Sequence, residues 1–376
     1  MADSGYLYYR TESELRRKMK PLNQYQLIQV LPRFLPGNCG VTDHAIELAH
    51  ELKSAFGIST AFVVPTSRVA ADVSEAVTRT EPNRLVETCL SLIGGEAGAL
   101  LVHVSGYGYS PDGAPVLLAN ALGEARTTGR FRIAAYFHEL FASGPPWRSA
   151  FWYSRRQKKA LRKIQEECDS ILTNTQSHAR WLESAPSRRS AASVQILPVF
   201  STVGEASTSI PFSSRTRAMV VFGLPGTRER SYNKLSKLTE MIQRLAVTEI
   251  LDIGPDCAVP SAVAGAPVRR MGKLPASELA SVISQSAFGF VHYSPRCVAK
   301  SSVFASYCAY GTIPVLAQPP VGELDGLRDG YQVLSPASVA DIQYVELEEC
   351  STAALHWYGS HRVHTHAEAY AKWLSH

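Results

Sequence analysis

The strongest constraint on this chain is an alternation that repeats along its length. Short β-rich runs, the clearest of them nearly unbroken in apolar residues, are separated by longer stretches with helical periodicity. Residues 25–30 (YQLIQV), 59–64 (STAFVV), 99–104 (ALLVHV) and 133–137 (IAAYF) are such runs. Strands covered by helices on both faces carry sequences like these, whereas a strand with one wet face would alternate. Between the first two runs a helix starts near Thr42 and Asp43, with Ala45, Leu48, Ala49 and Leu52 on one face. Strand, glycine-bearing turn, helix and next strand together form the unit of a doubly wound parallel sheet.

The alternation runs through a helix at 154–168 and short strands at 171–173 and 194–197, then stops at a Ser-, Thr- and Gly-rich stretch, 201–216. It restarts with strands at 219–222, 250–253, 268–271, 288–292 and 313–317, and helices at 232–245, 277–285 and 302–310. The length of 376 residues also favours more than one domain. The predicted architecture is therefore α/β, with two Rossmann-like doubly wound domains facing a cleft. An N-terminal arm or helix covers 1–24, with a capping pattern from Thr11 to Glu14. The first domain covers 25–203 and the second 217–350. A C-terminal helix over 351–376 packs back on the first domain.

Composition excludes several classes. A net charge of +5 is too diffuse to argue for nucleic acid as a partner. Seven scattered cysteines without a CxxC pair read as reduced thiols in a cytoplasmic protein, neither a zinc site nor a disulfide frame. No N-terminal apolar core suggests a signal peptide, and no run reaches the roughly 20 apolar residues of a membrane span. His361, His364 and His366 lack carboxylates or cysteines at ligand spacing, so no metal is expected.

Several segments suit binding of an anionic ligand at strand ends. Lys300, Ser301 and Ser302 open a helix and combine a point charge, two hydroxyls and free backbone N–H groups; the alternative is an ordinary helix start. Gly223 begins a segment that carries Arg228 and Arg230, either of which can pair with a phosphate. Gly37 and Gly40 allow a close backbone approach or merely form a βα turn, and Asp43 is equally a charge at a helix N-terminus. His138 and Glu139 end a buried strand. Tyr107 and Tyr109 between glycines form either an aromatic stacking platform or a self-packing loop, and residues 143–148 (SGPPWR) are rigid and aromatic. The basic stretch 155–163 is either a solvated face or a contact with a membrane surface or phosphorylated acceptor.

The order of short motifs resembles the GT-B glycosyltransferases, in particular the large retaining family 4. Residues 37–45 (GNCGVTDHA) resemble its glycine-rich acceptor-side loop, 136–139 (YFHE) its strand-end histidine element, and 171–177 (ILTNTQS) and 197–199 (LPV) its following strands. Residues 252–254 (DIG) and 271–274 (MGKL) resemble two short second-domain elements of the family, and 293–315, ending in AYGTIPV, resembles its donor-binding block. The resemblance implies a transferase that uses a nucleotide-diphosphate sugar, UDP- or GDP-linked, without a bound cofactor or metal. It further implies a glycan, lipid-linked or other small-molecule acceptor; the cytoplasmic setting is the expectation from the cysteines and N-terminus, with contact at the inner membrane face as the alternative use of 155–163. His138 would support the transferred sugar and act with Lys300 in catalysis; Gly37, Gly40, Gly223, Arg228, Arg230, Ser301 and Ser302 would line the donor. One departure is plain: the family's two donor-site glutamates fall on Val298 and Ser306. The alternatives are a sugar-nucleotide epimerase of the same fold and a non-catalytic subunit that binds a sugar nucleotide or glycan.

Overall fold

The computed structural model describes residues 26–375 apart from 38, 66–76, 95–96, 185–193, 209 and 341–343. The arm expected over 1–24 lies outside the described residues. The described chain divides into two compact units, one running to Leu197 and resuming at Val363, the other spanning Pro198–Arg362.

The first unit is built from β1 (Leu27–Val30), α1 (Gly40–Phe56), β2 (Thr60–Val64), β3 (Val77–Arg79), α2 (Leu85–Leu92), β4 (Gly98–Val104), α3 (Val116–Thr127), β5 (Phe131–Phe137), α4 (Ser149–Glu167), β6 (Ser170–Thr173), α5 (Gln176–Glu183) and β7 (Gln195–Ile196). Its seven strands are parallel in the order β3-β2-β1-β4-β5-β6-β7. Chain direction across the sheet reverses between β1 and β4, the place where open α/β sheets leave a ligand crevice. Strand periodicity sorts the side chains. Ile28, Val30, Leu100, Val102, Val104, Ile133, Ala135 and Phe137 enter one large apolar cluster. The alternate positions Gln29, His103 and Tyr136, and His138 just past β5, belong to the opposite face.

The second unit contains β8 (Thr216–Phe222), α6 (Pro225–Leu235), α7 (Thr239–Arg244), β9 (Glu249–Ile253), β10 (Ala262–Val263), β11 (Ala266–Gly272), α8 (Ala276–Gln285), β12 (Ser286–Phe290), α9 (Ser302–Ala309), β13 (Ile313–Val315) and α10 (Tyr344–Gly359). The sheet order is β10-β11-β9-β8-β12-β13, parallel except for the β10–β11 hairpin, and its reversal lies between β8 and β12. The chain ends in α11 (Val363–Ser375), which belongs to the first unit. There His364 Nδ1 lies 2.7 Å from Glu51 of α1, and the Arg132 guanidinium sits over the Trp373 ring.

Three details differ from the sequence reading. The helix expected over 232–245 starts at Pro225 and breaks between Leu235 and Thr239, so the segment read as a phosphate loop is largely helix. Pro225 explains the early start, since its fixed φ and missing N–H suit the first helical turn. The tail forms two helices, α10 and α11, rather than one. The division between units falls at Leu197, ahead of the 201–216 stretch.

One close approach fixes the core of the second unit. The Tyr307 ring of α9 lies directly on Gly289 of β12, and its hydroxyl donates to the carbonyls of Val220 (2.9 Å) and Phe290 (3.2 Å). A Cβ at 289 would overlap the ring. Gly289→Ala is expected to destabilise this unit by about 1–3 kcal/mol through overpacking, visible as a lower urea midpoint with an unchanged slope.

Candidate functional site

In the first unit the reversal point carries a cluster of buried rings. A glutamine with no solvent exposure must satisfy both ends of its amide. Gln29 does so by donating from Nε2 to the carbonyl of Ala45 in α1 (3.2 Å), while its Oε1 lies 2.7 Å from His103 Nε2. His103 Nδ1 is in turn 2.9 Å from His138 Nε2. The His138 backbone is held from two strands: its N–H donates to the Val104 carbonyl (3.0 Å) and its carbonyl accepts from Asn174 Nδ2 (3.0 Å). His44 of α1 closes the group, its ring centroid 5.1 Å from His138, 5.2 Å from Tyr136 and 5.4 Å from His366 of α11. Burial drives the His44 pKa well below its usual value, helped by His138 and His366, and drives that of His103 down to about 3. Both rings are therefore neutral at physiological pH.

The loop after β1 is pinned by the first turn of α1. Asp43 Oδ1 accepts the Gly37 N–H at 2.7 Å, and the Thr42 hydroxyl donates to the Arg33 carbonyl at 3.0 Å. Gly37 has a left-handed φ of 70°, which requires glycine; a Cβ at Gly40 would meet open space. Tyr109 is a brace: its hydroxyl donates to the carbonyls of Val30 and His103, tying β1 to β4. The Tyr107 ring is half exposed, with its hydroxyl taken by Gln157.

His44, His103 and His138 each offer a nitrogen within 4.8 Å of the others, a grouping that scanning for carboxylate and cysteine spacing missed. The His103 and His138 planes differ by 24° and their centroids are 5.2 Å apart, which matches the N···N distance plus one ring radius at each end. The two nitrogens thus face each other head-on, as in a hydrogen bond. Ligands of one ion would instead converge at an angle with a longer separation.

In the second unit the structure separates the two arginines. Arg228 is 2% exposed and forms a fork with Asp252 (3.0 and 2.8 Å), while its remaining N–H groups reach the carbonyls of Pro255 and Gly223. It braces the turns that follow β8 and β9, which touch where Gly254 meets Gly223. Arg230 is exposed. Gly223 lies beside Val303, at the first turn of α9, so the predicted Gly223 and Ser302 share one locality. The Ser301 side chain is the helix cap, accepting the Phe304 N–H at 3.2 Å, and Lys300 closes the preceding turn. Sequence reasoning missed His292 just past β12. Burial lowers its pKa, as do the adjacent cations Lys234 and Arg230, and its Nδ1 has no hydrogen-bond partner among the described residues. Val298 and Ser306, where the glutamates would stand, are interior; the Ser306 hydroxyl is spent on the Ser302 carbonyl and on Ser201.

The basic stretch on α4 is partly structural. Arg156 pairs with Asp112, Lys158 lies over the Phe141 ring, Arg162 over Trp181, and Lys163 donates to Asn120. Trp147 and Trp152 at its start are largely exposed. No helix among the described residues is long and apolar enough to cross a membrane.

No protein-family model matches the chain, and no curated protein matches it significantly in sequence. Solved structures do match in shape. An alpha-glucosyltransferase in complex with UDP-glucose and DNA aligns over 93% of this chain and 99% of its own, with a TM-score of 0.60 and 13% identity. WaaG, a glycosyltransferase of lipopolysaccharide biosynthesis, covers the same shares with a TM-score of 0.57 and 12% identity. A trehalose-6-phosphate protein from E. coli bound with UDP-2-fluoro glucose aligns over 93% and 98%, with a TM-score of 0.55 and 12% identity. The chain has the GT-B fold.

Two expectations follow. Burial, then Asp43, raises the pKa of Glu47 on α1 to about 7, from a usual 4.5. The folded state thus holds this proton longer than the unfolded chain, and the associated stability, full below pH 4.5, is lost as pH rises through 7. For His44 and His103 the shift is downward, so their contribution is present above pH 6.5 and lost as pH falls below it. Glu47→Gln should therefore stabilise the first unit by about 1–3 kcal/mol at pH 8 and by less than about 1 kcal/mol at pH 5, read from urea curves at the two values. In the second unit, Arg228→Met should cost about 3–5 kcal/mol, because it strands a buried Asp252. Arg230→Met should leave stability unchanged.

Proposed function

We propose that the protein is a glycosyltransferase that moves a sugar from a nucleotide-diphosphate donor to an acceptor, with retention of configuration. The observation that carries the reading is the surplus of positive charge at the reversal point of the second sheet. His292 lies just past β12, and burial together with Lys234 and Arg230 of α6, the helix that follows β8, holds its pKa below the usual value. A diphosphate is the kind of ligand that relieves such a surplus, and helix N-termini with glycine turns give its oxygens backbone donors. In this reading Gly223, Arg230, Lys300 and the start of α9 at Ser302 hold the diphosphate. Arg228 and Ser301 shape the site from behind, through the Asp252 fork and the helix cap. His138 supports the sugar, and Gly37 sets the loop beside it. The fold neighbours solved with UDP or UDP-glucose make a uridine donor the first to try.

The acceptor class stays wider than composition suggested. One fold neighbour was solved with DNA, so the modest net charge is no reason to set nucleic acid aside. The exposed Trp147 and Trp152 beside Arg155 and Lys159 suit an anionic acceptor or an anionic lipid surface.

A second reading has its own observation. With Val298 and Ser306 interior and not acidic, the familiar carboxylate contacts to sugar and ribose have no counterpart, which favours a subunit that binds the donor without turning it over.

A ligand screen separates the readings. UDP-glucose at 100 times its Kd should raise stability by about 2.7 kcal/mol, and the His292 pKa should rise as the phosphates arrive. Arg230→Met and Lys300→Met should abolish both effects. Release of UDP with an acceptor, lost in His138→Ala, supports the transferase; binding without release supports the second reading. No response to any nucleotide sugar would overturn both.

A further inference from the structure

The buried row Gln29–His103–His138 has a direction that its partners dictate. The Ala45 carbonyl can only accept, so the Gln29 end that meets it is the NH2 group, and Oε1 must face His103. Oε1 can only accept as well, so His103 carries its proton on Nε2, leaving Nδ1 as a lone pair. That lone pair faces His138 Nε2 at 2.9 Å, which must then be the N–H donor. Each link is fully or almost fully buried, so water does not compete for these hydrogen bonds.

We propose that Gln29 and His103 are positioning residues that hold His138 as its Nε2–H tautomer, so that His138 accepts and releases protons at Nδ1 alone. This rests on the reading of His138 as the group that supports the sugar. Neutral His138 then accepts a hydrogen bond from a sugar hydroxyl at Nδ1. After taking that hydroxyl's proton, it is an imidazolium that donates from Nδ1 back to the resulting oxygen, and returns the proton by the same nitrogen, while its Nε2–H stays on His103. The row is a clamp and not a wire. Passing a proton onward would require an amide oxygen of Gln29 to take it from His103 Nε2, and an amide oxygen is far too weak a base. The low pKa of His103 agrees, since a ring that stays neutral keeps one tautomer across the working range.

Among the described residues, His103 from β4, His44 from α1 and Tyr136 from its own strand pack around His138, with His366 and Tyr370 of α11 one ring further out. The nearest carboxylate in sequence, Glu139, accepts the Ser105 hydroxyl at 3.0 Å. Of these, His103 is the one whose ring nitrogen meets His138 Nε2, at 2.9 Å.

Histidine nitrogen chemical shifts read the tautomers directly in the full-length protein and need no turnover. Wild type should show His103 and His138 both as Nε2–H. Gln29→Met should release His103 to a mixture of tautomers, and His103→Phe should do the same to His138. His103→Gln should restore the His138 tautomer, because its amide oxygen can face His138 while its NH2 group faces Gln29. If the transferase reading holds, kcat should fall about tenfold in His103→Phe, a part of the roughly 10²–10⁴-fold that a positioned acid or base contributes. Donor KM should hold, the pH profile should shift, and His103→Gln should recover both rate and profile. An Nδ1–H tautomer of His138 in wild type, or unchanged shifts in His103→Phe, would overturn the proposal. So would stoichiometric cobalt(II) binding with tetrahedral absorption bands that vanish in His103→Phe. Failure of every donor would sink the functional reading alone and leave the tautomers to be judged by the shifts.

Discussion

The amide of Gln29 is the constraint on which the first unit's site depends. β1 is buried on both faces, so a polar side chain there has no water to turn to, and an unmet amide group costs about 1–3 kcal/mol. The structure meets both ends inside the protein, one on the backbone of α1 and one on His103 of β4. A single side chain thereby locks helix to sheet and sets the proton order of the next two rings. His138 inherits a fixed orientation without being buried as deeply as the groups behind it.

The second unit solves a different problem with charge. Its two turns beyond β8 and β9 run so close that Gly254 leaves no space for a Cβ against the Gly223 carbonyl. Two backbones at that separation need something to hold them, and the Arg228–Asp252 fork supplies it from below. A buried ion pair is weak evidence of stability, but as a geometric tie between two turns it is well suited. The consequence is a division of labour between arginines two residues apart. The buried one keeps the turns in register, and the exposed one stays available to a ligand, beside His292 and Lys234.

Much of the fold was legible because buried parallel strands are written as apolar runs and helices as a 3.6-residue period. ALLVHV and IAAYF fall within β4 and β5, and the glycine-bearing turn after β1 leads into α1 as expected. β3 and β10 were not visible, being three and two residues long with no apolar run of their own. The site was harder. His138 stood out at a strand end, yet Gln29 and His103 were passed over as interruptions of apolar runs. The signal was their parity: Gln29, His103, Tyr136 and His138 all occupy the face opposite the apolar cluster, and a polar residue there is more informative than its apolar neighbours. His44 and His366 join the same group from opposite ends of the chain, a proximity that no local pattern encodes. Arg228 and Arg230 were indistinguishable in sequence because the partner that separates them, Asp252, lies on the next strand.

The buried histidines His44 and His103 of the first unit act without titrating near neutral pH. Burial keeps their rings uncharged; His103 contributes hydrogen-bond direction, and His44 contributes ring packing against Tyr136, His138 and His366. A neutral imidazole has one donor and one acceptor at opposite sides of a rigid ring, so a row of them transmits an orientation over a distance that no single amide spans. The cost is paid in acid, where the unfolded chain takes up protons that the folded rings refuse. Near neutral pH such a row costs little, and it leaves the His138 ring in one orientation.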